Sequence, residues 1–183
     1  MPADADWLDP TLALTYAAAV TSRIGLATGV LLLPEHNPVV TAKPAATLDV
    51  LSGRRFTLGV GIGWSAEEFA ALGIPFAGRG RRTDEYVAAM RTLWRDDVAR
   101  FSGEFVDFNA VRVNPKPVRD RKLPIVVGGN SDSALARVAA YGDGWYGFNV
   151  PSAAVADRLG VPAGHCQERR RALGRPDARR GAR

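Results

Sequence analysis

Two apolar runs constrain this chain more than any other feature: residues 24–33 (IGLATGVLLL) and residues 56–62 (FTLGVGI). Neither alternates polar with apolar side chains, so each suits a strand buried on both faces. Between them, residues 40–51 read as a helix. Strand, helix and strand within about forty residues make a βαβ unit, which requires parallel strands. In parallel α/β folds ligands sit at the carboxyl ends of the strands, and both runs end there in glycine or turn-forming residues.

The remaining chain extends this pattern. Asp9 is a good N-cap, with Pro10 in the first helical position, for a helix over residues 11–21. Pro34 and Pro38 bracket a loop, and a helix follows over 39–51. Pro44 within it either kinks the helix or marks its true first turn. After Gly63-Trp64 a short helix ends at Gly73, and AGRGRR (77–82) reads as a flexible loop. A helix over 83–95 places Val87, Met90, Leu93 and Trp94 on one side. Residues 96–118 carry short β-like pieces (98–101, 104–108, 111–113) and form an excursion from the main pattern. A third apolar strand covers 123–127, Gly128-Gly129-Asn130 is its tight exit, and Ser131 or Asp132 caps a helix over 133–141. A fourth strand covers 145–150, and a helical region interrupted at 160–162 follows. Four strands, each followed by a helix, predict a doubly wound sheet or a (β/α)8 barrel.

The 183 residues suffice for one domain with a sizeable core. No apolar run reaches the eighteen or so residues of a membrane span, and MPADADWLDP lacks the basic start of a signal peptide. The single cysteine, Cys166, excludes an internal disulfide and fits a reducing cytoplasm. It has no companions for a metal site, and His36 and His165 form no ligand pair. The net charge of +5 belongs to the end of the chain. Residues 1–168 hold 17 Lys/Arg and 18 Asp/Glu, a balance of −1, whereas residues 169–183 hold seven Arg and one Asp, a balance of +6. Two parts are therefore expected: a domain over 1–168 and an Arg-rich, disordered tail over 169–183. Neither nucleic acid nor membrane is an expected partner.

Three stretches carry candidate chemistry. In LGVGIGW, Gly59, Gly61 and Gly63 share one strand face, leaving room for a flat ligand or a backbone, or for tight packing against a helix. The spacing is not a dinucleotide fingerprint. Gly128-Gly129-Asn130-Ser131 leaves a strand and enters a helix, which makes either a phosphate site of backbone N–H groups or an ordinary βα turn. Thr28-Gly29-Val30 interrupts a strand and marks a bulge, an unusual peptide, or a small residue beside a bulky one. Glu67 and Glu68 open a solvated helix. No nucleophile–base pair or carboxylate dyad is present, so no catalytic residue is identified.

Together the segments SRIGLATGVLLLPEHNPVVTAK, AATLDVLSGRRFTLGVGIGW with EEF, GRRTDEYVAAMRTLW and PIVVGGNSDSALARVAAYGDGWY resemble the bacterial luciferase-like flavin-dependent oxidoreductases. They are most similar to the branch that uses the deazaflavin coenzyme F420. The resemblance implies a partial (β/α)8 barrel, about strands three to six, with residues 96–118 as an insertion after the helices that follow the fourth strand. It implies that the family's strands one and two are absent before Met1, that strands seven and eight are missing, with the Arg-rich tail where the seventh should begin, and that the usual polar catalytic residue is missing with them. It further implies a non-prolyl cis peptide at Gly29-Val30 supporting the flavin ring. Gly61, Gly63, Trp64 and Glu67 would lie beside the ring or its side chain, and Gly128, Gly129 and Asn130 at the phosphate. The implied reaction is hydride transfer through F420 on a small organic substrate, with FMN-dependent oxygen insertion, or a fragment without catalytic activity, as alternatives. The resemblance implies a homodimer for the full-length enzyme. A chain holding only these strands is expected to be inactive alone and not to form a stable monomer, because both sheet edges stay unpaired.

Overall fold

The computed structural model describes residues 6–151, 154, 155 and 158. The chain divides into two units, Met1–Tyr146 and Gly147–Arg183. The first holds all the elements below. The expected tail over 169–183 lies outside the described residues.

Helix α1 spans Pro10–Val20, and the Asp9 carboxylate accepts from the Leu12 N–H at 2.9 Å, as an N-cap does. The apolar run that follows is not one strand. It breaks into β1 (Leu26–Ala27) and β2 (Leu31–Leu32), and a 3-10 turn over Leu33–Glu35 leads to α2. Helix α2 spans Pro38–Leu51; Asn37 caps it through the Val39 and Val40 N–H groups. It continues past Pro44, so that proline does not mark the first turn. Strand β3 is Phe56–Gly61, α3 is Ala66–Ala71 and α4 is Arg79–Arg95. The expected flexible loop is therefore partly helix. Arg79 and Arg82 begin α4 because their guanidinium groups find partners there: Arg79 donates to the Gly63 carbonyl and Arg82 to that of Pro75, with Arg82 also lying over the Phe105 ring. The excursion folds into an antiparallel hairpin, β4 (Ala99–Ser102) and β5 (Asp107–Val111). Strand β6 (Ile125–Gly128), α5 (Asp132–Tyr141, capped by Ser131) and β7 (Gly144–Tyr146) complete the unit. The fourth strand is thus shorter than the expected 145–150.

Strands β1, β3, β6 and β7 pair in that order, all parallel, and β2 pairs with β3 beyond β1. The carboxyl ends consequently share one edge of the sheet, and no closed barrel forms among the described residues. The register moves along β3: Leu26 faces Phe56, thirty positions on, but Leu31 faces Val60, twenty-nine positions on. One extra residue is therefore held in Thr28-Gly29-Val30, the signature of a bulge.

The core lies between the sheet and helices α2 and α4. Leu58, Val60, Ile125 and Val127 from the strands meet Ala42, Ala46 and Leu48 of α2 and Met90, Leu93 and Trp94 of α4, all nearly inaccessible. Trp94 donates its indole N–H to the Ala42 carbonyl at 2.9 Å, joining the two helices. At the opposite edge from the carboxyl ends, Arg55 gathers carbonyls of Ala18, Thr21, Ile24 and Ser52 and the Thr21 hydroxyl, closing the end of α1. The hairpin tip is fixed to α4, where the Glu85 carboxylate accepts the N–H groups of Glu104, Phe105 and Val106 at 2.7–2.8 Å.

Candidate functional site

The bulge shapes the carboxyl edge. At Gly59 the ladder toward β1 is completed by a side chain: the Thr28 hydroxyl donates to the Gly59 carbonyl at 2.7 Å and accepts its N–H at 2.8 Å. Both groups are buried, and an unpaired buried backbone group is costly, so Thr28 makes the interruption tolerable. The Gly29-Val30 peptide is cis, as the resemblance implies. Gly29 is exposed, and its open side faces the Tyr146 ring at 3.7 Å.

Val30 folds back over the glycines. A Cβ on Gly61 would lie 2.6 Å from Val30 Cγ2, and one on Gly128 would lie 2.8 Å from Val30 Cγ1. A Cβ on Gly59 would collide with the Thr28 carbonyl oxygen. The missing side chains therefore admit the neighbouring bulge, its backbone at Gly59 and the Val30 methyls at Gly61 and Gly128, and not a helix. A molecule placed on this edge meets Val30 before it meets Gly61.

Gly63 lies beyond the end of β3, at φ +74°, with the Phe69 ring and Glu35 Oε1 where a side chain would begin. It turns the chain so that Trp64 projects into solvent, 78% exposed. Ser65 then caps α3 through the Glu68 N–H and donates to the Glu67 carboxylate. Its own backbone N–H and that hydroxyl hold Glu67 below the usual carboxylate range. Glu35 is affected the other way: burial, then the nearby Glu68 charge, push it up, against the pull of His36. Its Oε1 is buried without a hydrogen-bond partner.

On the β6 side, Gly129 adopts φ +119°, which favours glycine whatever the space around it. Its N–H is already given to the Tyr146 carbonyl, and its carbonyl accepts the Trp145 indole N–H at 2.7 Å. Gly129 thus braces the turn and does not offer that N–H to a ligand. Asn130 is half-buried between it and the Ser131 cap.

The edge therefore presents an apolar shelf, Gly29 and Val30, with the Tyr146 ring beside Gly29; Trp64 stands exposed three residues past the end of β3. Such a surface suits a planar aromatic molecule. No group of three or more His, Cys, Asp or Glu among the described residues could hold a metal, and none of their helices is long and apolar enough to cross a membrane.

The sequence model of the luciferase-like monooxygenase family matches residues 1–181. The chain belongs to that family. Its relatives include the uncharacterized protein Rv0953c of Mycobacterium tuberculosis, 44% identical over 139 residues, covering 75% of this chain and 49% of the relative. Pyrimidine monooxygenase RutA of Allorhizobium ampelinum is 36% identical over 131 residues, covering 69% and 35%. The chain spans about half the length of the mycobacterial relatives. Among solved structures, an F420-dependent secondary alcohol dehydrogenase with an F420-acetone adduct superposes with a TM-score of 0.76 at 21% identity, covering 96% of this chain and 53% of the other. Monooxygenase RslO1 from Streptomyces bottropensis gives 0.71 at 26%, covering 91% and 59%. The luciferase-like fold is thus confirmed for the parallel strands and their helices.

Three contributors to this luciferase-like edge were not singled out from the sequence: Glu35, Arg79 and Tyr146. Glu35 and Arg79 sit in stretches that read as loops, and only the fold carries them to Gly63. Tyr146 reads as an ordinary strand residue until β7 is placed beside β6.

Proposed function

We propose that this chain supplies part of the cofactor site of a deazaflavin-dependent oxidoreductase, with coenzyme F420 as cofactor and a small organic substrate. The observation that carries the reading is the apolar shelf of Gly29 and Val30, with the Tyr146 ring beside Gly29, at the carboxyl edge of a luciferase-like sheet. When bound, the cofactor supplies hydride transfer, and the protein's part is to position and desolvate it. Val30 and Gly29 would take the flat face of the ring. Trp64 would shield its edge from water, with Gly61, Gly63 and Glu67 holding the turn that aims Trp64. Gly128, Gly129 and Asn130 would bring the phosphate to the amino end of α5, where helix N–H groups favour an anion.

A second reading is oxygen insertion with FMN. Relatives named pyrimidine monooxygenase are 36% identical and favour the oxygen insertion, while solved structures holding FMN or a modified FMN, at 22%, stand level with the F420-dependent ones, at 21–23%. Parallel titrations of F420 and FMN into the chain, followed by quenching of cofactor fluorescence, separate the two. F420 saturating at the lower concentration supports the proposal, and FMN saturating first selects the second reading. No quenching by either removes the carboxyl-edge site.

A further inference from the structure

Gly63 is held from three sides. The Phe69 ring and Glu35 Oε1 fill the space where its side chain would begin, at 2.7 and 2.9 Å, and Arg79 donates to its carbonyl at 3.1 Å. The chain passes from this grip directly into the exposed Trp64. Phe69 is itself fixed: it is fully buried and meets the Phe76 ring edge-on, with the Arg79 guanidinium 3.8 Å from the centre of that ring. Glu35 is the odd member. It comes from the 3-10 turn after β2, and its Oε1 is sealed from water without a donor. Such an oxygen is costly when charged and tolerable when the carboxyl carries a proton.

The surroundings favour the proton. Glu68, from the first turn of α3, adds to the push of burial, and His36 on the same turn as Glu35 pulls the other way more weakly. Glu67 is held ionised by its own N–H and the Ser65 hydroxyl. Helix α4 packs on the 3-10 turn. Its Arg79 is spent on the carbonyls of Gly63 and Phe76, its Arg82 on that of Pro75, and burial keeps Tyr86 un-ionised. Strand β3 and the first turn of α2 bring no titratable side chain.

We propose that Glu35 is the positioning residue for Trp64: with its proton it seats the Gly63 turn and holds Trp64 as the structure shows it, and without the proton its carboxylate swings to water and frees the turn. The proton passes to solvent. Ionised in place, Glu35 would keep a buried charge beside Glu68 with no donor; because the residue is only half-buried, a short rotation removes that charge at the cost of the Gly63 contact. The functional consequence rests on the cofactor site proposed above: Trp64 shields the ring edge while Glu35 is protonated and ceases to once it ionises.

The experiment is fluorine NMR of the chain labelled with fluorotryptophan, without cofactor, through a pH titration. The chain has four tryptophans, and Trp64→Phe assigns the Trp64 resonance by its loss. The proposal expects that resonance to move with one midpoint above the ordinary glutamate range, Glu35→Gln to hold it at its acid-side position throughout, and Glu68→Gln to lower the midpoint. A Trp64 resonance that does not titrate overturns the proposal. So does an unchanged titration in Glu35→Gln, which would assign the movement to another group. Far-UV circular dichroism checks each fold; if Glu35→Gln loses it, Glu68→Gln decides, and an unmoved midpoint overturns the proposal. Because cofactor is absent, failure here leaves the fluorescence titrations of F420 and FMN to stand or fall separately.

Discussion

Val30 offers the sharpest test of how the carboxyl edge is built. Its two methyls occupy the places where side chains on Gly61 and Gly128 would begin, at 2.6 and 2.8 Å from the respective Cβ positions. Real carbon contacts are optimal near 3.5–4.0 Å, so Gly61→Ala or Gly128→Ala overpacks the edge by close to an ångström. Overpacking of that kind costs about 1–3 kcal/mol. Val30→Ala removes both methyls from a half-buried site, at about 1 kcal/mol. In the Val30→Ala background the next neighbours are Leu32 Cδ2 for Gly61 and the Val60 carbonyl for Gly128, both at 3.4 Å. Each glycine substitution should then be nearly neutral, giving a favourable coupling of about 1–2 kcal/mol. Gly59→Ala is the control: it meets the Thr28 carbonyl, part of the backbone, and Val30→Ala should not relieve it. Urea unfolding followed by circular dichroism measures each corner of the cycle. Coupling below about 0.5 kcal/mol, the range of independent sites, or equal rescue of Gly59→Ala, would refute this packing.

Thr28→Val should cost about 2–4 kcal/mol by leaving the buried Gly59 N–H and carbonyl without the hydroxyl, while Thr28→Ser should cost under about 1 kcal/mol; chemical denaturation distinguishes them. Arg55→Lys should lose about 2 kcal/mol, because an ammonium cannot span carbonyls of Ala18, Thr21, Ile24 and Ser52 together, yet leave cofactor titrations unchanged, since Arg55 lies at the far edge. Glu35 sets a pH dependence. Its folded pKa lies above its unfolded value, so the folded state holds the proton more tightly. The contribution is present at low pH and is lost as pH rises from the ordinary glutamate range to the raised folded value; Glu35→Gln should abolish that part of the stability–pH curve, and identical curves would contradict it. Glu85→Gln should release the N–H groups of residues 104–106, read as faster amide exchange there with α4 protection kept.

The parallel βαβ plan was legible because buried parallel strands leave long apolar runs, and the caps were legible, Asp9 alone and Ser131 as one of two candidates with Asp132, because a short polar side chain before a helix has one main use. The cis peptide came through resemblance, whereas residues 96–118 were already legible as an excursion from the pattern and resemblance only named them an insertion. Pattern marked Thr28-Gly29-Val30 as an interruption but could not choose among a bulge, an unusual peptide and a small residue beside a bulky one. An apolar run records burial but not register, and the hydroxyl's role exists only once Gly59 stands opposite. Reading the Arg79–Arg82 segment as a loop failed for a related reason. Gly78 and Gly80 weaken a helix locally, while the partners that hold it, at Gly63, Pro75 and Phe105, are distant in sequence or belong to the hairpin. Gly61 was read as needing space, but its occupant, Val30, lies thirty-one positions away; the same side chain fills the place beside Gly128, ninety-eight positions on, which read as a phosphate site or a turn.

The bond between Glu85 and the hairpin tip bears on how such a protein diversifies. One carboxylate holds three successive main-chain N–H groups, so α4 sets the attitude of β4 and β5 at the backbone of the tip, with only Glu104, paired to Arg81, and Phe105, beneath Arg82, adding side-chain contacts there. Arg100, Ser102, Asp107 and Asn109, which line a shallow hollow with Phe101 and Phe108, are then free to vary without disturbing where the hairpin points. New chemistry can be displayed at this spot one residue at a time, on a mount whose orientation is inherited unchanged.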